Sequence, residues 1–295
     1  MGDLTNTATA VQRIVIQGVR GAFHEIAARQ YFGNRIEVVP ALSFDELFEK
    51  AASPRQSDAA VIAIENSIAG SILGNYRLLI GSRLTVIGEV YLRIRQNLLA
   101  LPGVDLKDLR EVHSHPMALA QCSEFFKSHP HIRLVESQDT AESAAHIVRR
   151  RAKHIGAIAS ELAAEIYGLH VLRPAIETVP QNYTRFLVVR RSDEAHTVVD
   201  ANKVSLCVTL PHRPGSLAAL LNRLAASGAD LTKIQSVPLM GRPWEYQFLI
   251  DFKTEPAQMA TVIGQLEDLT VALQILGMYH DGGNTTQPPF PISNF

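Results

Sequence analysis

Asn182-Tyr183-Thr184-Arg185-Phe186 closes the first of two hydrophobic patterns in this 295-residue chain. Upstream of it, short Val- and Ile-rich runs at 14–16, 37–39, 59–64, 131–135, 155–159 and 186–189 alternate with helical patterns. Runs apolar on both faces fit buried, mainly parallel strands of an α/β domain. Apolar residues recur at three and four over 23–32, 44–52, 72–80, 117–127, 141–151 and 161–167, which predicts helices. The stretch 84–101 reads as one long extended segment. The chain is therefore expected to cross between two lobes near 84–101 and again near 184–190, giving a two-lobed domain with a cleft over residues 13–192. Downstream, the polar break at 190–201 is a linker. Strand patterns at 204–210, 231–237, 245–252 and 272–279, with helices at 216–226 and 256–269, then spell βαββαβ, an α+β ferredoxin-like domain over 201–281. The tail 282–295, with Pro288, Pro289 and Pro291, is expected to be disordered.

The charge balance excludes several classes. With 28 Lys and Arg against 29 Asp and Glu, scattered along the chain, there is no basic field for nucleic acid. A small-molecule or protein partner is favoured. Cys122 and Cys207 lie alone in apolar surroundings, so reduced, buried thiols are expected rather than a disulfide framework or a zinc site. No run of about 18 apolar residues occurs, and the polar start at 1–12 lacks a leader pattern, so no membrane association and a cytoplasmic location are expected.

Four strand-to-helix junctions carry groups suited to anions: Gly18-Val19-Arg20-Gly21, Glu65-Asn66-Ser67 with Gly70, Ser114-His115-Pro116, and Asp139-Thr140. Backbone N–H groups at a helix start favour a carboxylate, and in an open α/β sheet such turns gather where ligands bind. Read one at a time, Ser114, Asp139 and Thr140 are capping residues and Pro116 is a first-turn proline. A hydroxyl beside a guanidinium, as in Thr184-Arg185, can hydrogen-bond a leaving group and hold a carboxylate. Alone, the same pair is an ordinary strand threonine with a surface arginine. His113 and His115 flank Ser114 without a third ligand, so no metal site is expected.

Taken in order, the segments resemble the prephenate dehydratase family from about residue 14 to about 280. Ile64-Glu65-Asn66-Ser67 with Gly70, Ser114-His115-Pro116 with Ala118, Leu119, Gln121 and Cys122, and Asn182 to Phe186 carry the resemblance. It implies a periplasmic-binding-protein-like catalytic domain of two lobes. It also implies decarboxylating dehydration of prephenate to phenylpyruvate, on the way to phenylalanine, with no metal or organic cofactor. By resemblance Thr184 hydrogen-bonds the departing hydroxyl, and Arg185 and Phe186 shape the site. Asn66 and Ser67 suit substrate hydrogen bonds, Ser114 and Thr140 suit carboxylates at helix starts, and Gly21 belongs to the same set of turns. Glu65 would repel a dianion unless it turns away or is protonated. Ala22 and Met117 stand where relatives often have polar residues.

The second domain resembles the ACT domain of that family on Pro214-Gly215-Ser216-Leu217, Leu231 to Ile234 and Trp244 to Phe248. This implies phenylalanine as an allosteric effector held between paired domains of a homodimer or homotetramer, on Gly215, Ser216, Leu217, Gln235 and Ser236. Gln235-Ser236-Val237-Pro238 replaces the usual ESRP, removing two opposite charges, so altered inhibition is expected. Two other readings compete. Arogenate dehydratase performs the same elimination on the amino counterpart, although the absence of a plastid-type leader argues against the plant enzyme. A non-catalytic sensor of amino or organic acids would have no need of Thr184.

Overall fold

The computed structural model describes residues 11–239 and 241–284. The chain divides into two compact units, Met1–Val61 with Arg95–Pro180 and Ile62–Ile94 with Gln181–Phe295.

In the first unit β1 (Gln12–Gln17) pairs in parallel with β2 (Ile36–Ala41) and with the start of β3 (Ala59–Asn66). Ile14, Val15 and Ile16 are fully buried, as a run apolar on both faces requires. The helices α1 (Phe23–Phe32) and α2 (Phe44–Ala52) connect these strands, and Ser43 caps α2 by accepting from the Glu46 N–H. A second sheet runs in the order β10 (His170–Arg173), β6 (Asn97–Ala100), β9 (Ile155–Ala159), β7 (Glu111–Ser114), β8 (Arg133–Glu136). Its helix α6 (Thr140–Arg150) starts on Asp139, and α7 (Glu161–Tyr167) starts on Ser160.

Three expectations are corrected here. The sheets are mixed: β7, β8 and β9 are parallel, whereas β6 runs antiparallel to both β9 and β10. Parallel pairs need a crossover helix, and β6 enters instead from a direct extended connection. The long segment at 84–101 is two strands, β5 (Leu84–Arg93) and β6, because the Gln96 N–H turns to the Glu177 carboxylate at 2.9 Å. The helix expected at 117–127 breaks at Cys122 into α4 (Pro116–Gln121) and α5 (Ser123–Lys127). The Gln121 carbonyl accepts from the Thr178 N–H at 2.8 Å and is lost to the helix ladder.

In the second unit β11 (Tyr183–Arg191) lies between β3 and β5 and pairs antiparallel with β5 over its whole length. β4 (Gly70–Ser71) folds back on the end of β3, and α3 (Leu73–Gly81) follows. The C-terminal module is β12 (Lys203–Thr209), α8 (Ser216–Ala226), β13 (Asp230–Pro238), β14 (Tyr246–Lys253), α9 (Met259–Glu267) and β15 (Ala272–Tyr279). Its antiparallel sheet has the order β13-β14-β12-β15, over a core that includes Val204, Leu206, Leu220, Ile250, Phe252 and Leu266. Gly277 lets β15 approach β5, since a Cβ there would collide with the Val86 carbonyl. Gly282–Asn284 form a 3-10 turn, with the Gly282 N–H donating to Glu89 Oε1 at 3.0 Å, where a disordered tail was expected. The rest of that tail lies outside the described residues.

His24, on α1, is 8% exposed, and its ring centroid is 5.8 Å from that of Phe44. Burial pushes its imidazole down to about 3. The unfolded chain takes up this proton near 6.5, so it binds more protons than the folded one between those values. Stability should therefore fall as pH drops below about 6.5, by up to about 1.4 kcal/mol per unit from this group. Urea unfolding at pH 7, 6 and 5 checks it: the wild type should lose stability more steeply than His24→Gln. Parallel losses would contradict the assignment.

Candidate active site

Asn66, at the end of β3, organises the start of β11. Its Oδ1 accepts from the N–H groups of Ile68 and Ala69 at 3.0 and 2.9 Å. Two backbone donors on one oxygen fix the amide orientation, so Nδ2 faces β11. There it lies 2.7 Å from Asn182 Oδ1, 3.1 Å from the Tyr183 carbonyl and 3.0 Å from Thr184 Oγ1. The Thr184 oxygen is thus an acceptor toward Asn66, which leaves its own proton to point elsewhere. Ser67 staples the same segment: its N–H donates to the Tyr183 carbonyl at 2.8 Å, and its Oγ accepts from the Tyr183 N–H at 2.9 Å and donates to the Gln181 carbonyl at 3.2 Å. Asn66 and Ser67, expected to hydrogen-bond a substrate, hold the strand that carries Thr184.

Arg185 requires a correction. Its guanidinium, expected beside the substrate, is on the opposite face of β11, because successive strand side chains alternate. Nε donates to Glu89 Oε2 at 2.6 Å, Nη1 to Asp251 Oδ2 at 2.5 Å and Nη2 to Tyr279 Oη at 2.9 Å. Lys203 donates to the other Glu89 oxygen at 2.7 Å and to Tyr91 Oη at 3.2 Å. Burial opposes the charge on Arg185, but Asp251, Tyr279 and Glu89 outweigh it and raise its pKa well above the ordinary value. Burial and Arg185 oppose the charge on Lys203, which Glu89 nevertheless raises. The carboxylates that Arg185 holds belong to the protein. Phe186, back on the face of Thr184, is 1% exposed and sits opposite Val90. Glu65 turns away from that face and pairs with Lys233 of β13 at 2.9 Å.

In the first unit the turns are largely self-satisfied. The Gly21 N–H donates to Glu25 Oε2 at 2.7 Å and its carbonyl accepts from Ser160 Oγ at 2.6 Å, so Gly21 offers no free donor to a ligand. Its φ of 88° and a would-be Cβ 2.8 Å from Ala163 Cα explain the glycine. Ser114, expected to bind a carboxylate, is fully buried and gives its hydroxyl proton to the Ile158 carbonyl at 2.7 Å. Thr140 opens α6, half-buried, beside Asp139. Burial raises the Asp139 carboxyl above its usual range, against the N–H groups of Glu142 and Ala141. His115 accepts from the Met117 N–H at 3.2 Å as the cap of α4.

The C-terminal module carries a pocket lined by Leu210, Pro211, His212, Arg213, Ser216, Leu217, Glu245, Tyr246 and Phe248. Gly215, at φ 85°, opens α8 beside it. Ser216 Oγ is buried and has no hydrogen-bond partner among the described residues. Gln235 and Ser236 are absent from this lining, and Gln235 Nε2 donates to the Ser236 carbonyl at 3.0 Å.

Sequence reading gave no individual role to Asn182, Glu89, Lys203, Asp251, Tyr279 or Lys233. The available signal was a lone charge inside an apolar strand, as at Glu89 and Asp251.

The family model described as "Prephenate dehydratase" matches residues 14–194. Arogenate dehydratase 2 of Petunia hybrida is 39% identical over 295 aligned residues, covering 94% of this chain and 74% of the relative. Among solved structures, prephenate dehydratase from Arthrobacter aurescens in complex with L-Phe superposes with a TM-score of 0.82 at 30% identity, over 94% of this chain and 91% of that one. GqqA, described as a quorum-quenching acylase, also superposes with 0.82 at 31% identity, over 91% and 98%.

Removing Arg185 would leave Glu89 and Asp251 buried beside a missing cation. Arg185→Ala should cost about 3–5 kcal/mol in urea unfolding. A loss below about 1 kcal/mol, the range of exposed pairs, would contradict the description.

Proposed function

The chain belongs to the prephenate dehydratase family, and from that premise we propose how its own residues carry the reaction. Prephenate becomes phenylpyruvate, carbon dioxide and water. The bond to the ring carboxylate breaks, its electron pair enters the ring, and the ring hydroxyl leaves and takes up a proton. Aromatisation supplies the driving force, so the protein's task is to position the substrate and assist the leaving group.

The observation that carries this reading is the bond from Asn66 Nδ2 to Thr184 Oγ1 at 3.0 Å. It occupies an acceptor site of the hydroxyl and frees its proton for the departing oxygen. Thr184 is a positioned donor rather than a free-standing acid. An acylase reading finds less support: Thr184 and Ser114 face an amide and a carbonyl rather than the base that activates a hydroxyl nucleophile. The same elimination serves arogenate, and the petunia relative makes that substrate the necessary control.

The effector is phenylalanine, supported by the L-Phe held by the Arthrobacter aurescens relative and by the unpartnered Ser216 hydroxyl at the module's pocket. We assign the oligomer to pairing of these modules, on which Trp244, Ile234 and Ile275 are exposed. We assign the chain to a reducing compartment, the cytoplasm in our reading, a choice supported by its two free, buried thiols, Cys122 and Cys207. Among the described residues no helix is long and apolar enough to cross a membrane.

Ultraviolet detection of phenylpyruvate, with arogenate in parallel, tests the activity. Thr184→Ala should lower kcat by about 10²-fold or more while remaining folded, and Thr184→Ser should retain part of it. A near-normal kcat in folded Thr184→Ala would overturn the mechanism.

Titration calorimetry should show phenylalanine binding to the wild type and not to Gly215→Val, whose side chain would strain the left-handed turn. Silence of the wild type at millimolar ligand would leave the module as an assembly element only.

A further inference from the structure

The pattern of β13 is inverted. Leu231 and Ile234 are 37% and 41% exposed, while Lys233 between them is 8% exposed. The inversion has a local cause. Leu231 pairs with Phe252 and Lys233 with Asp251, so Thr232 is an extra residue, a β-bulge, and its hydroxyl donates to the Asp251 carbonyl at 3.2 Å. Bulges re-aim side chains, and this one turns an ammonium inward.

The ammonium closes on two strands at once. Lys233 Nζ donates to Glu65 Oε1 at 2.9 Å on β3 and to Ser71 Oγ at 2.7 Å on β4, and lies 5.4 Å from the Tyr76 ring centroid. Glu65 and Ser71 face each other in register across the β3–β4 hairpin, and Asn66 pairs with Gly70 next to them. Lys233 thus clamps both legs of the hairpin from which Asn66 reaches Thr184. Burying an ammonium against a carboxylate whose side chain is 35% exposed adds little stability. Fixing where Asn66 stands is a better account of its place.

We propose that Lys233 is a positioning residue for the elimination, acting through Glu65 and Ser71 on the hairpin that sets Asn66 against Thr184. The proposal rests on the reading of Thr184 as the leaving-group donor. It gives the C-terminal module a direct hold on that donor, since Lys233 stands two and three residues before Gln235 and Ser236 on the same strand.

The test is a kinetic cycle on the full-length chain with prephenate. If the wild type releases no phenylpyruvate, the functional reading fails, whatever Lys233 does. Given wild-type turnover, Lys233→Met and Glu65→Gln should each lower kcat about 10-fold or more with KM changed less than about 3-fold, and Lys233→Arg should recover most of the loss. In a Thr184→Ala background, Lys233→Met should cost almost nothing further, because it acts through Thr184. If Lys233→Met does not fold, Glu65→Gln, at a partly exposed position, carries the same comparison. A kcat within about 2-fold of wild type in either folded single variant, or losses that multiply with Thr184→Ala, would overturn the proposal.

Discussion

Successive side chains of a strand point to opposite faces, and on β11 that alternation separates two kinds of work. Thr184 faces the Asn66 amide, while Arg185 faces Glu89, Asp251 and Tyr279. A one-residue slip of β11 would exchange these faces, burying a threonine among carboxylates and moving a guanidinium beside Asn66. The register is held by nine residue pairings with β5, from Tyr183–Arg93 to Arg191–Leu84, and by Ser67, which bonds the backbone of Tyr183 on both sides. The buried ion cluster penalises every alternative. In this sense the cluster is what makes the position of Thr184 unique.

The cluster also joins the C-terminal module to the strands that carry the donor. Glu89 and Arg185 belong to β5 and β11, and Lys203, Asp251 and Tyr279 to β12, β14 and β15. Burying such charges is worthwhile only if each is met. Arg185 meets two carboxylates and a phenol, and both Glu89 oxygens are occupied. The polar linker in the sequence suggests a first domain that stands alone. These contacts argue otherwise, because a chain cut near residue 194 would keep Arg185 and Glu89 and lose Asp251, Tyr279 and Lys203. An effector that favoured one state of the module would act on Arg185, adjacent in sequence to Thr184.

Much of the architecture was legible in the sequence because local patterns decided it. The apolar runs at 14–16 and 155–159 became buried strands, and Ser43, Asp139 and Ser160 capped helices as their residue types dictate. The βαββαβ order followed from alternation and turn residues. What escaped was long-range. The break at Cys122 depends on a bond from Thr178, and the burial of Lys233 on a bulge paired to β14. Arg185 read as a substrate ligand because nothing nearby in sequence reveals carboxylates 96 and 66 positions away. The hydroxyl of Ser114 and the carbonyl of Gly21 also meet distant partners, Ile158 and Ser160, whereas the Gly21 N–H meets Glu25 only four residues on.

The central claim is that Asn66 donates to Thr184 and so directs the threonine proton toward the leaving group. Asn66→Asp tests it most directly. Aspartate preserves size and still accepts from Ile68 and Ala69, but presents an acceptor to Thr184, whose proton should then turn toward the new carboxylate. Steady-state turnover of prephenate by the folded variant should show kcat reduced about 100-fold or more, with a lowered thermal midpoint because the carboxylate also faces Asn182 Oδ1 and the Tyr183 carbonyl. A folded Asn66→Asp enzyme with kcat within a few-fold of wild type would contradict the account.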